Sequence, residues 1–175
     1  MAKTKNIYFV PIRKEERGLV VSTLEAHSGF LEYAIDFLLP EGTEVLSAQT
    51  GKVVDVKDSS DEGGFKEKYR GNKHLNYITI KHKSGEYSQY AHLKFKGAIV
   101  KKGDIVEAGE IIGYSGNTGY SSSPHLHFHV SRKIKSKEGW ETMDIRFNED
   151  IKILRKRGEI ILGALKATFR KIIAR

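Results

Sequence analysis

Cysteine is absent from the 175-residue chain. No disulfide and no thiolate ligand is available, so any metal site has to be built from His, Asp and Glu. Long apolar runs are missing too: none approaches the roughly 20 residues a helix needs to cross a bilayer. The apolar piece Ile7 to Ile12 is shorter than the h-region of a secretory signal, and no small-residue cleavage pattern follows it. Proline occurs only three times against 17 glycines, which leaves the turns to Gly, Asn, Asp and Ser. No serine stands in a G-x-S-x-G setting, which removes the nucleophile elbow of a serine hydrolase.

Hydrophobic residues make up 39% and charged residues 30% of the chain, the balance of a globular protein rather than a disordered one. The length suits one compact domain with some decoration. The net charge of +8 is unevenly spread. Residues 151–175 carry Lys152, Arg155, Lys156, Arg157, Lys166, Arg170, Lys171 and Arg175 against a single acid, Glu159. The remaining chain is close to neutral, so its main body is not read as a nucleic-acid binder.

Residues 1–147 read as mostly β. Pro40-Glu41-Gly42, Asp61-Glu62-Gly63-Gly64, Lys83-Ser84-Gly85 and Gly116-Asn117-Thr118-Gly119 punctuate them as turns. Strand-like segments lie between: Tyr33 to Leu39, Gly51 to Val56, Tyr77 to His82, Glu86 to Leu93 and Leu126 to Val130. Short strands with little helical pattern suggest antiparallel sheets in a compact sandwich or open barrel. Asp58 to Lys73 is polar and reads as a long loop bordering a groove. From Asn148 the pattern turns helical: Ile161, Leu162, Leu165, Phe169, Ile172 and Ile173 recur at three- and four-residue spacings among basic residues. Such a basic amphipathic helix either packs on the body or a partner, or lies on anionic lipid or wall polymer.

Seven histidines carry the chemical argument: His27, His74, His82, His92, His125, His127 and His129. In Pro124-His125-Leu126-His127-Phe128, alternation along a strand puts His125 and His127 side by side on one face and sends Leu126 and Phe128 to the other. Two adjacent imidazoles suit one metal ligand and one neighbour acting on water at the metal. Asp36 interrupts an apolar strand, where a carboxylate is costly unless it is paired or ligates a metal. His27, Asp36 and His127 together would supply the three protein ligands usual in a catalytic zinc site. His92, in Tyr90-Ala91-His92-Leu93, follows a hairpin signal and is placed to act as general base or to hold a developing oxyanion. His82, at the end of an alternating strand, reads as structural, and His74 as peripheral.

The order of these motifs resembles the lysostaphin/LytM-type zinc metallo-endopeptidases. The resemblance covers about residues 20–131. It runs from His27 and Tyr33-Ala34-Ile35-Asp36-Phe37 through Pro40-Glu41-Gly42-Thr43 and Gly51-Lys52-Val53-Val54 to Tyr90-Ala91-His92-Leu93. It closes on Gly103-Asp104-Ile105-Val106, Gly109-Glu110-Ile111-Ile112-Gly113, Ser115-Gly116-Asn117-Thr118-Gly119 and Pro124-His125-Leu126-His127-Phe128. The resemblance implies a duplicated hybrid-motif β fold and a Zn²⁺ cofactor held by His27, Asp36 and His127. It also implies His92 and His125 as catalytic histidines, a peptidoglycan peptide as substrate, and a location in the cell envelope or outside the cell. Asn117 and Thr118 would rim the groove.

Two positions depart from the family pattern. Typical members place the first histidine four residues before the aspartate; here Glu32 stands there and His27 lies nine before, so either completes the ligand set. Position 129 is often Glu in relatives; His129 shares a face with His125 and His127 and either supports a ligand or meets solvent. Two rival readings have distinct signatures. A catalytically inactive, wall-binding or hydrolase-activating member would bind no metal. A carrier-type domain would use Val100 to Gly113 as its hairpin, but the chain has no lysine attachment turn of that kind.

Overall fold

Strand follows strand along the computed structural model, which describes residues 2–22, 27, 29–135 and 139–154. The first seven strands are β1 (Val20–Val21), β2 (Ile35–Leu38), β3 (Glu44–Leu46), β4 (Gly51–Lys57), β5 (Gly63–Gly64), β6 (Tyr77–Lys81) and β7 (Glu86–Ala91). The rest are β8 (Leu93–Ala98), β9 (Ile105–Val106), β10 (Ile111–Ser115), β11 (Gly119–Tyr120), β12 (His125–Lys133), β13 (Trp140–Thr142) and β14 (Ile153–Leu154). The expected strands are all present, and the expected antiparallel, open β architecture is the one observed.

One large sheet runs β14-β1-β2-β12-β7-β6-β4-β9, with β13 also paired to β12. Strand β12 is its axis. Residues 125–128 pair with β2, residues 127–132 with β7, and residues 131–133 with β13. A second sheet, β3-β10-β8, packs on the first, and β5 and β11 form a small parallel pair. β9 and β10 thus part to different sheets, so Val100 to Gly113 is not the hairpin of a carrier domain.

Alternation decides which face is core. On β12, Leu126, Phe128 and Val130 are fully buried, and the register sets Leu126 opposite Phe37 and Phe128 opposite both Ile35 and Tyr90. Ile78, Ile80, Val53, Val45, Ile112 and Leu93 complete this core. Burying a side chain such as Phe128 is worth about 2–3 kcal/mol. The N-terminal segment follows the same rule: Tyr8, Val10 and Ile12 point in, while Ile7 and Phe9 are exposed. Lys83-Ser84-Gly85 makes the β6–β7 hairpin turn, closed by His82 N–H donating to Glu86 O at 2.8 Å.

Residues 148–154 differ from the helix expected from Asn148. They bend at Asn148 and Glu149 and end in the strand β14; Val20 pairs with Ile153 in parallel, and Ile151 and Ile153 pack against the core. Arg17 reinforces this return with two bonds to Glu149, at 2.8 and 2.7 Å. Burial on the sheet edge overrides the helical spacing there, and the body of the domain continues past residue 147. The remainder of the expected helix, residues 155–175, lies outside the described residues.

The polar stretch Asp58 to Lys73 contains β5 and a short 3-10 turn, Glu67–Tyr69. β5 lies so close to the chain before β11 that a Cβ on Gly63 would stand 1.9 Å from the Asn117 carbonyl oxygen. Only glycine fits at that approach.

Candidate metal centre

The face of β12 opposite the core carries His125, His127 and His129, all buried. Across the β2–β12 ladder, Asp36 stands directly opposite His127 and shares its face. Its Oδ1 lies 3.0 Å from His127 Nδ1 and 3.8 Å from His125 Nε2. His27 is also buried, and its Nε2 lies 3.2 Å from the same oxygen. A 3-10 turn at Gly29–Leu31 takes up part of the nine-residue interval between His27 and Asp36, and Ala34 N–H closes it on Leu31 O at 2.8 Å. Glu32 is exposed and stands outside this cluster.

His92 arrives by a different route. It sits between β7 and β8 with φ of +62°, a left-handed conformation that few side chains adopt cheaply. That kink carries the chain out of the large sheet into the small one and brings the His92 ring within 4.4 Å of His125, centroid to centroid. The two rings are anchored alike. His92 Nδ1–H donates to Thr118 O at 2.7 Å, and His125 Nδ1–H donates to Ser123 O at 2.8 Å, with Ser121 Oγ 3.2 Å away. A carbonyl can only accept, so each ring carries a proton on Nδ1, and the neutral His92 keeps its lone pair on Nε2. His127 is turned the other way: its Nδ1 faces Asp36, and its Nε2 lies 3.2 Å from His129 Nδ1.

Nothing in the sequence marks Thr118 and Ser123 as anchors, because their carbonyls, not their side chains, make the contacts. Thr118 does more than rim a groove: its hydroxyl donates to Leu93 O at 2.7 Å and fixes the loop that holds His92. Asn117 and Thr118 also line an adjacent cleft of about 320 Å³, together with Glu41, Asp61, Gly63, Lys94 and Phe95. His82 is structural, with Nδ1 3.0 Å from Thr50 O and Nε2 2.9 Å from Ser88 Oγ. His74 lies apart, edge-on to Tyr69 and 3.6 Å from Glu62.

Electrostatics set the protonation states. Burial alone would raise the Asp36 carboxyl, but His125, His127 and His27 around it outweigh burial and hold it well below the usual carboxylate range. Burial lowers His127 even against the pull of Asp36. Burial, then His125 and His127, pushes His92 down to about 3; burial, then His127 and His27, does the same to His129. An ionised Asp36 beside a neutral His127 is the state a cation requires of those two ligands.

Among the described residues, His27, Asp36 and His127 are the one group of metal-ligating side chains that converges, with one ligand atom of each within 4.8 Å of the others. The donor set of two imidazoles and a carboxylate suits catalytic zinc, whose tetrahedral ligands about 2.0–2.2 Å from the ion stand roughly 3.3 Å apart. The 3.0 and 3.2 Å contacts of Asp36 Oδ1 match that spacing. The residues present therefore fit the ion.

An open antiparallel sheet with Asp36 and His127 on one strand pair, His27 brought to them from outside the strands and two further imidazoles beside them defines a metallopeptidase-type domain. The chain belongs to peptidase family M23, whose family model matches residues 31–139, in the lysostaphin/LytM group. The matched segment begins after His27, so the placement of that residue comes from the fold. The chain is 37% identical over 120 residues to a metalloprotease of Buchnera aphidicola, covering 67% of this chain and 28% of that one. It is 40% identical over 102 residues to lysostaphin of Staphylococcus simulans, covering 58% and 18% respectively. It is 36% identical over 122 residues to the peptidoglycan DD-endopeptidase ShyB of Vibrio cholerae, covering 70% and 24%. The matched part of the chain thus spans only 18% to 28% of the length of these longer relatives. In structure it is similar to the catalytic domain of S. simulans lysostaphin, with a TM-score of 0.50 and 31% identity over 80% of this chain and 88% of that one. A zinc-containing peptidase from V. cholerae superposes with a TM-score of 0.52 and 29% identity, over 71% of this chain and 36% of the other.

Proposed function

We propose that this chain is a zinc-dependent endopeptidase that hydrolyses peptide bonds of peptidoglycan in the cell envelope. The observation that carries the reading is the convergence of His27, Asp36 and His127 on one point, with His92 and His125 beside it. The peptidoglycan endopeptidases among its relatives support the substrate class.

His27, Asp36 and His127 hold the ion. Zinc bound there supplies Lewis acidity, which polarises a scissile carbonyl and makes water nucleophilic near neutral pH. The chain's own residues do the rest. His92 and His125 keep their Nδ1 protons on backbone carbonyls, so Nε2 of each is free to accept a proton or, once protonated, to donate to an oxyanion. Burial, then His125 and His127, keeps His92 neutral at physiological pH. Asp36 stays ionised and offsets positive charge at the centre. The cleft lined by Asn117 and Thr118 meets the site through Thr118 and gives an extended peptide a bed beside the histidines.

The test pairs metal content with cleavage. Metal-reconstituted, desalted protein is expected to hold about one zinc per chain by elemental mass spectrometry, and His127→Ala is expected to lose it. The loaded protein is expected to release new amino groups from purified peptidoglycan. A stably loaded protein that releases none from sacculi of several cross-bridge types would refute the assignment.

A further inference from the structure

We propose that His129 is the positioning residue of this centre: it takes the Nε2 proton of His127 in a hydrogen bond and so leaves the Nδ1 lone pair of His127 aimed at the metal position. The inference rests on the metal-centre reading above and extends it to a residue outside the ligand set.

Geometry supplies the argument. His127 and His129 lie two apart on β12 and therefore on one face, with ring centroids 5.4 Å apart and planes at 74°. Their facing nitrogens, His127 Nε2 and His129 Nδ1, are 3.2 Å apart and share a single proton. The other nitrogen of His127 faces Asp36 at 3.0 Å, on the side where His27 also lies. For that Nδ1 to act as a ligand, the ring proton must reside on Nε2. A buried N–H needs an acceptor, and His129 Nδ1 is the acceptor in reach. His129 is only 7% exposed, so solvent is a poor substitute.

The choice of histidine has a further consequence. Without metal, His127 Nδ1–H donates to Asp36, which leaves Nε2 as an acceptor; His129 then turns donor through Nδ1–H. With the ion held, the Nδ1 proton of His127 would be released to solvent, the shared proton would pass from His129 Nδ1 to His127 Nε2, and His129 would regain a proton on its own Nε2. An imidazole serves either arrangement with the same nitrogen, whereas a carboxylate serves only the loaded one.

Three measurements test this. In ¹⁵N-labelled, zinc-loaded protein, long-range ¹H–¹⁵N spectra are expected to place the His127 proton on Nε2. His129→Phe, which keeps a buried ring but has no acceptor, is expected to bind zinc about 10- to 100-fold more weakly in chelator competition. It is also expected to alter the visible spectrum of the cobalt(II) form. His129→Gln, which retains an acceptor, is expected to recover most of the affinity. Wild-type zinc affinity and cobalt spectrum in both variants, or a His127 proton on Nδ1 in the loaded protein, overturns the role of His129 while leaving the metal centre standing. Failure of the parent chain to bind zinc overturns both. Should His129→Phe not fold, His129→Leu, which also lacks an acceptor, takes its place in both measurements, beside the spectra of the parent.

Discussion

Replacing Asp36 by Asn is the most direct perturbation of the centre, because it keeps the shape and removes the charge. Oδ1 of Asp36 is the atom common to the contacts with His127, His27 and His125, at 3.0, 3.2 and 3.8 Å. In the metal-free protein two effects oppose each other. The buried carboxylate no longer costs desolvation, but the imidazole N–H groups lose a charged acceptor, so the net change should be only about 1 kcal/mol. With zinc the balance is different. At a free zinc concentration a thousand times Kd, the parent gains about 4 kcal/mol of stability from binding. For a domain of this size that raises Tm by roughly 8–16 °C. Loss of a charged ligand should cost more than the 10- to 100-fold typical of a supporting residue, roughly a thousandfold. At the same zinc concentration the variant then gains only about 0.4 kcal/mol, or roughly 1 °C. Thermal unfolding with and without zinc, beside zinc-per-chain measurements, reads both effects. If Asp36→Asn shows the same zinc-induced rise in Tm as the parent, the carboxylate is not a ligand and the assigned centre is wrong.

Other residues give separate readouts. His92→Ala is expected to retain full zinc content but lose about 10²- to 10⁴-fold in kcat on peptidoglycan peptides; a loss below tenfold in steady-state kinetics would deny it a catalytic role. Glu86 reports on acid stability. Burial would raise its carboxyl, but the backbone N–H groups of Lys5 and Asn6 and the Tyr8 hydroxyl donate to it and bring it below its ordinary value of 4.5. A carboxyl lowered on folding contributes stability above its unfolded pKa, and that contribution is lost as pH falls through the folded one. Glu86→Gln should therefore be less stable than the parent at pH 7 by about 1–3 kcal/mol, with the two converging below pH 4.5. A constant gap in urea-unfolding free energy from pH 7 to pH 3 would contradict this.

Period-two reasoning carried the strand face well. Pro124-His125-Leu126-His127-Phe128 places two imidazoles together and two apolar side chains in the core because alternation is a property of the strand itself, and the β12 register repeats it. Asp36 was legible for an energetic reason: a carboxylate in an apolar strand needs a compensating partner, and it has three imidazoles. The basic spacing after Asn148 misled over residues 148–154, where pairing with β1 and packing on the core win over helical propensity. Local spacing carries no information about a strand edge waiting nearby in space.

What spacing alone left open was the choice between His27 and Glu32. A nine-residue interval says nothing about direction; the structure leaves Glu32 exposed after the 3-10 turn at Gly29–Leu31 and sets the buried His27 against Asp36, which supports His27 in the proposed ligand set. The orientation of each ring was equally hidden. Five of the seven histidines gather around Asp36, but the nitrogen that His92 and His125 present depends on backbone carbonyls at Thr118 and Ser123 and on a left-handed turn at His92. Those anchors create the asymmetry on which the proposed chemistry depends: carbonyls hold Nδ1 of His92 and His125, whereas His127 meets Asp36 with Nδ1. In a site built this way, residue type is set by the metal, while ring direction is set by whatever accepts the second proton. Position 129 is consequential for that reason, although it touches the centre only through its neighbour.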